Sequence, residues 1–294
     1  MTIKEILKEK LTESEMKKAP SSFEIIGNKE KSVAIVEIEH VLKPKAALIA
    51  EAIMKKHRNV KTVLLKDSPR QGEFRTRSYR RIKGEKNTEV LHVENGCRLL
   101  VDPVSSYFSS REGTERDRIV RKVKPGETVM VFLAGAGPFA VEIAKKARPT
   151  KVVGIEINPA AVDYFVKNIR MNKLQNTEAV LGDVAERAKE FHGQCDRVIM
   201  PLPERAVEYT ADALKCLKPG GVCHLYFFAS DEQIQEVKKK IKSAAREQKR
   251  KVTFIHLQRV LPYGPRIWKY RIDFIADMRV SAKRIGRRKK DPKN

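Results

Sequence analysis

The chain reads as an α/β protein in which a smaller N-terminal mixed α/β unit precedes a Rossmann-like, mostly parallel sheet. Three observations carry this reading. From about Thr114 onward, apolar runs of strand length alternate with amphipathic stretches, the pattern of parallel strands joined by crossover helices. Within that region an apolar run at 129–133 passes through Gly135-Ala136-Gly137 into a helix opened by Pro138, and Glu156 follows one βα unit later. Before Thr114 the strand-like runs dominate, with a single long Ala-rich helical stretch. The expected divisions are an N-terminal α/β domain at 1–110, the larger sheet domain at 111–280 and a basic tail at 281–294.

Each element has a local reason. Thr2-Ile3-Lys4-Glu5 has the spacing of a capping box, with Ile3, Ile6 and Leu7 on one face, so a short helix opens the chain. Strands at 22–26 and 33–38 flank a turn at Gly27-Asn28, and a helix at 44–57 and a strand at 61–66 complete the small unit. Residues 74–81 read as extended, which places Arg75, Arg77, Tyr79 and Arg81 on one face as an RNA-facing edge or a solvated strand face. In the larger region, strand 129–133 leads to helix 138–147. Strand 152–157 leads to a helix capped by Asn158 with Pro159 at its first position and Ala161, Tyr164 or Phe165, and Ile169 inward. Strand 177–181 ends in Gly182-Asp183, and strand 198–200 is closed by Pro201-Leu202-Pro203 before a helix with Val207, Thr210 and Leu214 inward. Residues 217–221 read as a sharp turn into strand 222–228. Ser230 and Gln233 form another capping box opening a basic helix to about Gln248. Runs at 252–260 and 268–278 suit an antiparallel edge, and 282–294 reads as a tail disordered until it meets RNA.

Charge narrows the partners. Lys+Arg of 61 against Asp+Glu of 37 gives +24, spread along the whole chain, a field that favours a polyanion and most simply nucleic acid. No apolar run reaches the roughly 18 residues of a spanning helix, no basic amphipathic helix carries an aromatic face, and the start lacks an apolar signal core. A cytoplasmic protein with no membrane partner is expected. Cys97, Cys195, Cys216 and Cys223 include no C-x-x-C pair, so neither zinc nor a disulfide framework is indicated and buried thiols are expected. No long exposed heptad is present, so a monomer is expected.

The glycine turn is the place for a nucleoside. Glycines let the backbone approach a ligand, the new helix presents free N–H groups, and Glu156 can take both ribose hydroxyls, although a bare G-x-G also fits a turn with no ligand. Asp183 at the end of the third strand would hold an adenine edge. With Pro219-Gly220-Gly221 before the fifth strand, this suits S-adenosylmethionine better than a dinucleotide.

Ser22-Phe23-Glu24-Ile25-Ile26-Gly27, Phe74-Arg75-Thr76-Arg77, Glu94-Asn95-Gly96-Cys97, Tyr107-Phe108-Ser109, Thr114-Glu115-Arg116, Ala134-Gly135-Ala136-Gly137-Pro138-Phe139, Glu156-Ile157-Asn158-Pro159 and Leu217-Lys218-Pro219-Gly220-Gly221 carry a resemblance over roughly residues 20–280. In these motifs the chain resembles the archaeal and eukaryotic tRNA guanine-N1 methyltransferases, which modify guanosine 37. The resemblance implies a class I Rossmann-like methyltransferase sheet, S-adenosylmethionine as cofactor and tRNA as partner. It also implies that the extra small domain often found at the family's N-terminus is missing. Guanosine N1 must lose a proton as the methyl arrives, and Glu115 matches the family's general base. Arg75 matches the arginine that stabilises charge on O6. Tyr107 and Arg116 match positions near the cofactor, and Gly135, Gly137, Glu156, Ile157, Asp183, Val184 and Pro201 complete the implied cofactor site. Two departures stand out: Val131 replaces an Asp that opens the first cofactor motif, and Pro201 replaces an Asn. They keep two alternatives in view, a wyosine-pathway modification of the same nucleotide (carbon methylation or aminocarboxypropyl transfer) and a non-catalytic tRNA-binding paralogue.

Overall fold

The computed structural model describes residues 2–67 and 77–278. Arg75, the first part of the expected strand at 74–81 and the tail at 281–294 lie outside the described residues.

The N-terminal unit comprises α1 (Ile3–Leu7), α2 (Glu13–Lys18), β1 (Glu24–Gly27), β2 (Ser32–Val36), α3 (Ala46–Lys56), β3 (Val60–Lys66) and β4 (Tyr79–Gly84). The sheet order is β1-β2-β3-β4, with β2 and β3 parallel and the outer pairs antiparallel. Thr2 and Glu5 form the expected capping box, and Thr12 with Glu15 forms a second one that opens α2, a helix the sequence reading passed over. Ile3 and Leu7 bury against Ile49 and Ile53 of α3 on one face of the sheet, while Ile26, Val33, Ile35 and Leu64 on the other face join the core of the larger domain. In β4, Tyr79 is half-buried and both Arg80 and Arg81 are exposed.

A hairpin, β5 (Val90–Glu94) and β6 (Cys97–Val101), connects the two units. Asn95 and Gly96 both adopt positive φ, +49° and +75°, which a tight two-residue turn requires. The chain continues through α4 (Gly113–Val120), β7 (Thr128–Phe132), α5 (Pro138–Lys146), β8 (Lys151–Glu156), α6 (Pro159–Met171), β9 (Thr177–Leu181), α7 (Val184–Arg187), β10 (Cys195–Met200), α8 (Thr210–Cys216), β11 (Leu217–Ala229), α9 (Ile234–Glu247), β12 (Arg250–Gly264) and β13 (Ile267–Met278). The seven strands lie in the order β12-β13-β11-β10-β7-β8-β9; the five from β9 to β11 are parallel, and β13 and then β12 close the edge antiparallel. Strand order reverses between β7 and β10, which opens a crevice at their carboxyl ends.

α6 is stitched to the hairpin by two asparagines one turn apart. Asn168 accepts from Leu100 N (2.6 Å) and donates to Leu100 O (3.0 Å), and Asn172 does the same to Arg98 N (3.0 Å) and Arg98 O (2.6 Å). Together they pair the β6 backbone as a neighbouring strand would.

Two expectations need correction. Residues 217–221 are not a turn ahead of the strand but its first residues: Leu217 pairs Cys195, and the register slip before the Arg197–Val222 pair absorbs Gly220 at φ +80° as a bulge. At 230–233 only half the capping box forms, Ser230 N to Gln233 Oε1 at 2.9 Å, and α9 begins at Ile234. All four cysteines are buried and unpaired. No described helix is long and apolar enough to cross a membrane.

Candidate active site

A pocket of about 390 Å³ opens at the switch point, with Tyr107, Glu112, Arg116, Gly135, Phe139 and Pro201 in its wall. The turn after β7 is built from three left-handed residues, Leu133 (φ +55°), Gly135 (+58°) and Gly137 (+78°). Gly135 donates its N–H to Glu156 Oε2 at 2.7 Å, and Asn158 N donates to Glu156 Oε1 at 2.9 Å, so one carboxylate ties two βα turns together. Burial pushes the Glu156 carboxyl up, and only backbone amides oppose the shift. A side chain held this way keeps unused lone pairs, which fits it to accept ribose hydroxyls.

Gly137 has a packing role in the same turn. A Cβ there would lie 2.0 Å from the Phe165 ring, so the missing side chain makes room for α6 against the turn. Of the expected cofactor residues, Tyr107, Arg116, Gly135 and Pro201 share the pocket wall. Glu156, half-buried Ile157, Asp183 and buried Val184 lie at the neighbouring ends of β8 and β9. Asp183 caps α7 by accepting from Ala185 N at 2.7 Å, and Tyr209 donates to its second oxygen at 3.4 Å. Val131 is buried in β7, level with Gly154 of β8 and Ile199 of β10. The fit to S-adenosylmethionine therefore rests on Glu156 and the pocket wall, without an acid at position 131.

Arg116 is the electrostatic centre of that wall. It is 2% exposed, lies over the Phe108 ring, and donates to Glu94 (2.6 Å), Glu142 (3.1 Å) and the Ser109 carbonyl (3.0 Å). One guanidinium faces two carboxylates, and they titrate apart. Burial pulls Glu94 up, but His92 and Arg116 outweigh it and hold the carboxyl at about 2. Burial and the Glu94 charge push Glu142 up to about 8 against the pull of Arg116.

Glu112 and Glu115, at the head of α4 and one turn in, meet two cations spaced two apart on β13. Lys269 Nζ lies 2.8 Å from Glu112 Oε1, which also accepts from the Tyr107 hydroxyl at 2.9 Å. Burial raises the Glu112 carboxyl, but Lys269 and Arg116 lower it further. Arg271 donates to Glu115 Oε1, the Tyr226 hydroxyl donates to the same oxygen at 2.8 Å, and Arg118 lies 3.1 Å from Oε2. Glu115 is 4% exposed and sits behind the wall, whereas Glu112, absent from the sequence reading, forms part of it. Behind Arg271 the buried chain continues through Asp273, His224 and Arg197 to Glu127. Arg197 donates to His224 Nε2, so His224 is neutral and gives its Nδ1 proton to Asp273, in line with the downward shift that burial imposes on it.

A switch-point pocket in a seven-stranded sheet with an antiparallel penultimate strand, a glycine turn after its first strand and an acid closing the second, defines a Rossmann-like methyltransferase of the S-adenosylmethionine-dependent class. Residues 90–253 match the TRM5/TYW2 methyltransferase domain and residues 3–88 the TYW2 N-terminal domain. The chain belongs to the TRM5/TYW2 methyltransferase family. It is 40% identical over 263 residues to Trm5b of Pyrococcus abyssi, named a tRNA (guanine(37)-N(1))-methyltransferase, covering 87% of this chain and 74% of the relative. The crystal structure of wild-type Trm5b from P. abyssi superposes with a TM-score of 0.82 at 38% identity, over 91% of this chain and 79% of that one. Pyrococcus horikoshii TYW2, solved in complex with MeSAdo, gives 0.78 at 27% identity over 94% and 98%. A Methanocaldococcus jannaschii tRNA(Phe) (4-demethylwyosine(37)-C(7)) aminocarboxypropyltransferase is 30% identical over 219 residues, 74% of this chain and 87% of the relative.

Proposed function

We propose that this protein transfers the methyl group of S-adenosylmethionine to N1 of guanosine 37 in tRNA, with Glu115 as general base and Arg75 stabilising the charge that develops on O6. The cofactor supplies an electrophilic methyl on its sulfonium; the chain must bind it, hold the base and remove the N1 proton. The observation that carries the reading is the asymmetric grip on Glu115. Its Oε1 is fixed by Arg271 and Tyr226, while among the described residues Oε2 faces Arg118 alone, a side chain 41% exposed. An incoming tRNA phosphate can draw Arg118 away, which leaves Oε2 as the proton acceptor on a carboxylate that stays oriented. Tyr107, held by Glu112, and Arg116, held by Glu94 and Glu142, would shape the methionine end, Gly135 and Pro201 would line it, and Glu156 would take the ribose. Gly137 supports the same turn, and Ile157, Asp183 and Val184 would surround the adenine at the ends of β8 and β9. In this reading residues 1–110 contact RNA, 111–280 hold the donor and 281–294 add a basic tail. In the same reading the protein acts as a monomer.

Methyl incorporation into a guanosine-37 transcript tests the assignment. Glu115→Gln is expected to lower turnover by roughly 10²- to 10⁴-fold with tRNA binding retained; turnover equal to the parent would refute the general-base role. A wyosine-pathway modification of the same nucleotide is the second reading. It is favoured by the TYW2 match at residues 3–88 and by Pro201, which offers only a carbonyl where an amide is usual. The mass of the product nucleoside separates the two.

A further inference from the structure

The tip of the β12–β13 hairpin lies at the same end of the sheet as the pocket, and its Tyr263 pairs with Phe228 of β11 outside the cofactor site. Tyr263 is 61% exposed, yet its ring stacks on half-buried Phe228 with centroids 3.8 Å apart and planes 26° from parallel. One face of Tyr263 is covered and the ring remains largely open to solvent. Pro262 precedes it, Gly264 and Pro265 follow, and Arg266 holds φ +58° at the turn.

The pair is connected to the pocket by side chains on one face of the sheet. Phe228 of β11 lies directly opposite Lys269 of β13, and residues so paired project to the same side. Lys269 caps the Tyr226 ring at 4.9 Å and reaches Glu112 at 2.8 Å, and Glu112 is part of the pocket wall. The hairpin tip is cationic as well, with Arg266 exposed three residues from Tyr263.

We propose that Tyr263, backed by Phe228, is a stacking platform for the nucleobase next to the target guanosine in the single-stranded anticodon loop. An open aromatic face beside an exposed arginine suits a base and its phosphate, since every base offers a π-face and stacking tolerates sequence. The platform would hold the strand while the target is drawn out of the stack and into the pocket. This rests on the RNA reading above.

The test uses an anticodon stem-loop with 2-aminopurine on either side of guanosine 37, titrated with the full protein in the presence of S-adenosylhomocysteine. Wild type is expected to quench one of the two probes. Tyr263→Ala is expected to abolish that quenching and weaken RNA binding roughly 5- to 100-fold, with Tyr263→Phe restoring both. S-adenosylhomocysteine affinity, measured by calorimetry, should be unchanged in Tyr263→Ala, which separates a lost platform from a damaged pocket. If Tyr263→Ala binds and quenches as wild type does while wild type methylates the RNA, the platform is wrong and the enzymatic reading stands. If wild type itself neither binds nor methylates the RNA, both fall together.

Discussion

Replacing Glu142 by Gln should change how stability depends on pH. Glu142 is fully buried beside Arg116 and Glu94, and its carboxyl is pushed from the ordinary 4.5 up to about 8. Below 4.5 the group is protonated in folded and unfolded chains alike, so its contribution is complete there. Between 4.5 and about 8 the unfolded chain loses the proton while the folded one keeps it, and stability falls as pH rises through that window. At ~1.4 kcal/mol per pH unit the gap sets a ceiling of ~5 kcal/mol; because Glu94 shares the same guanidinium, about 2–5 kcal/mol is expected. Glutamine carries no proton to lose, so Glu142→Gln should lack this decline. Glu94, held at about 2, loses its own contribution only as pH falls below the ordinary carboxylate range, outside the window. Urea unfolding followed by the fluorescence of the single tryptophan, Trp268, at several values from about pH 5 to about pH 8.5 gives both curves. A wild-type minus variant difference that stays constant across that range would refute the assignment of the proton to Glu142.

Gly137→Ala places a methyl 2.0 Å from the Phe165 ring at φ +78°, and should cost about 3 kcal/mol, read as a loss in Tm. If the turn instead tolerates alanine, α6 is not packed on it as described. Glu112→Gln leaves Lys269 buried without its counter-charge and should destabilise by about 3–5 kcal/mol, whereas Glu112→Leu combined with Lys269→Met should recover most of that. Equal losses in the single and double variants, measured by urea unfolding, would show that the pair is not coupled.

Local chemistry made much of the fold legible. Thr2 with Glu5, and Asn158 followed by Pro159, are read from a few adjacent residues, and the structure forms both caps. Pro219-Gly220-Gly221 misleads for the same reason: nothing nearby reveals that Leu217 will pair with Cys195 and draw the turn residues into β11. Gly137 is required, as its type implies, but the space it leaves is filled by a phenylalanine 28 residues later. The proposed base is the hardest to read. Glu115 depends on Tyr226 and Arg271, 111 and 156 residues away, and Lys269-Tyr270-Arg271-Ile272-Asp273 has the alternation of a solvated strand although its charged face is buried against α4. The available signal was the pairing of two acids three apart on a helix with two cations two apart on a strand.

The two asparagines of α6 have a consequence for association between molecules. A two-stranded hairpin normally leaves backbone groups free along its outer edges, where another chain can add a strand. Asn168 and Asn172 occupy both the donors and the acceptors of Arg98 and Leu100 on β6. Side-chain amides thus shield from β-augmentation the short ribbon that leads into the loop of Tyr107 and Glu112. A highly charged protein that must stay open to RNA keeps that edge closed to copies of itself.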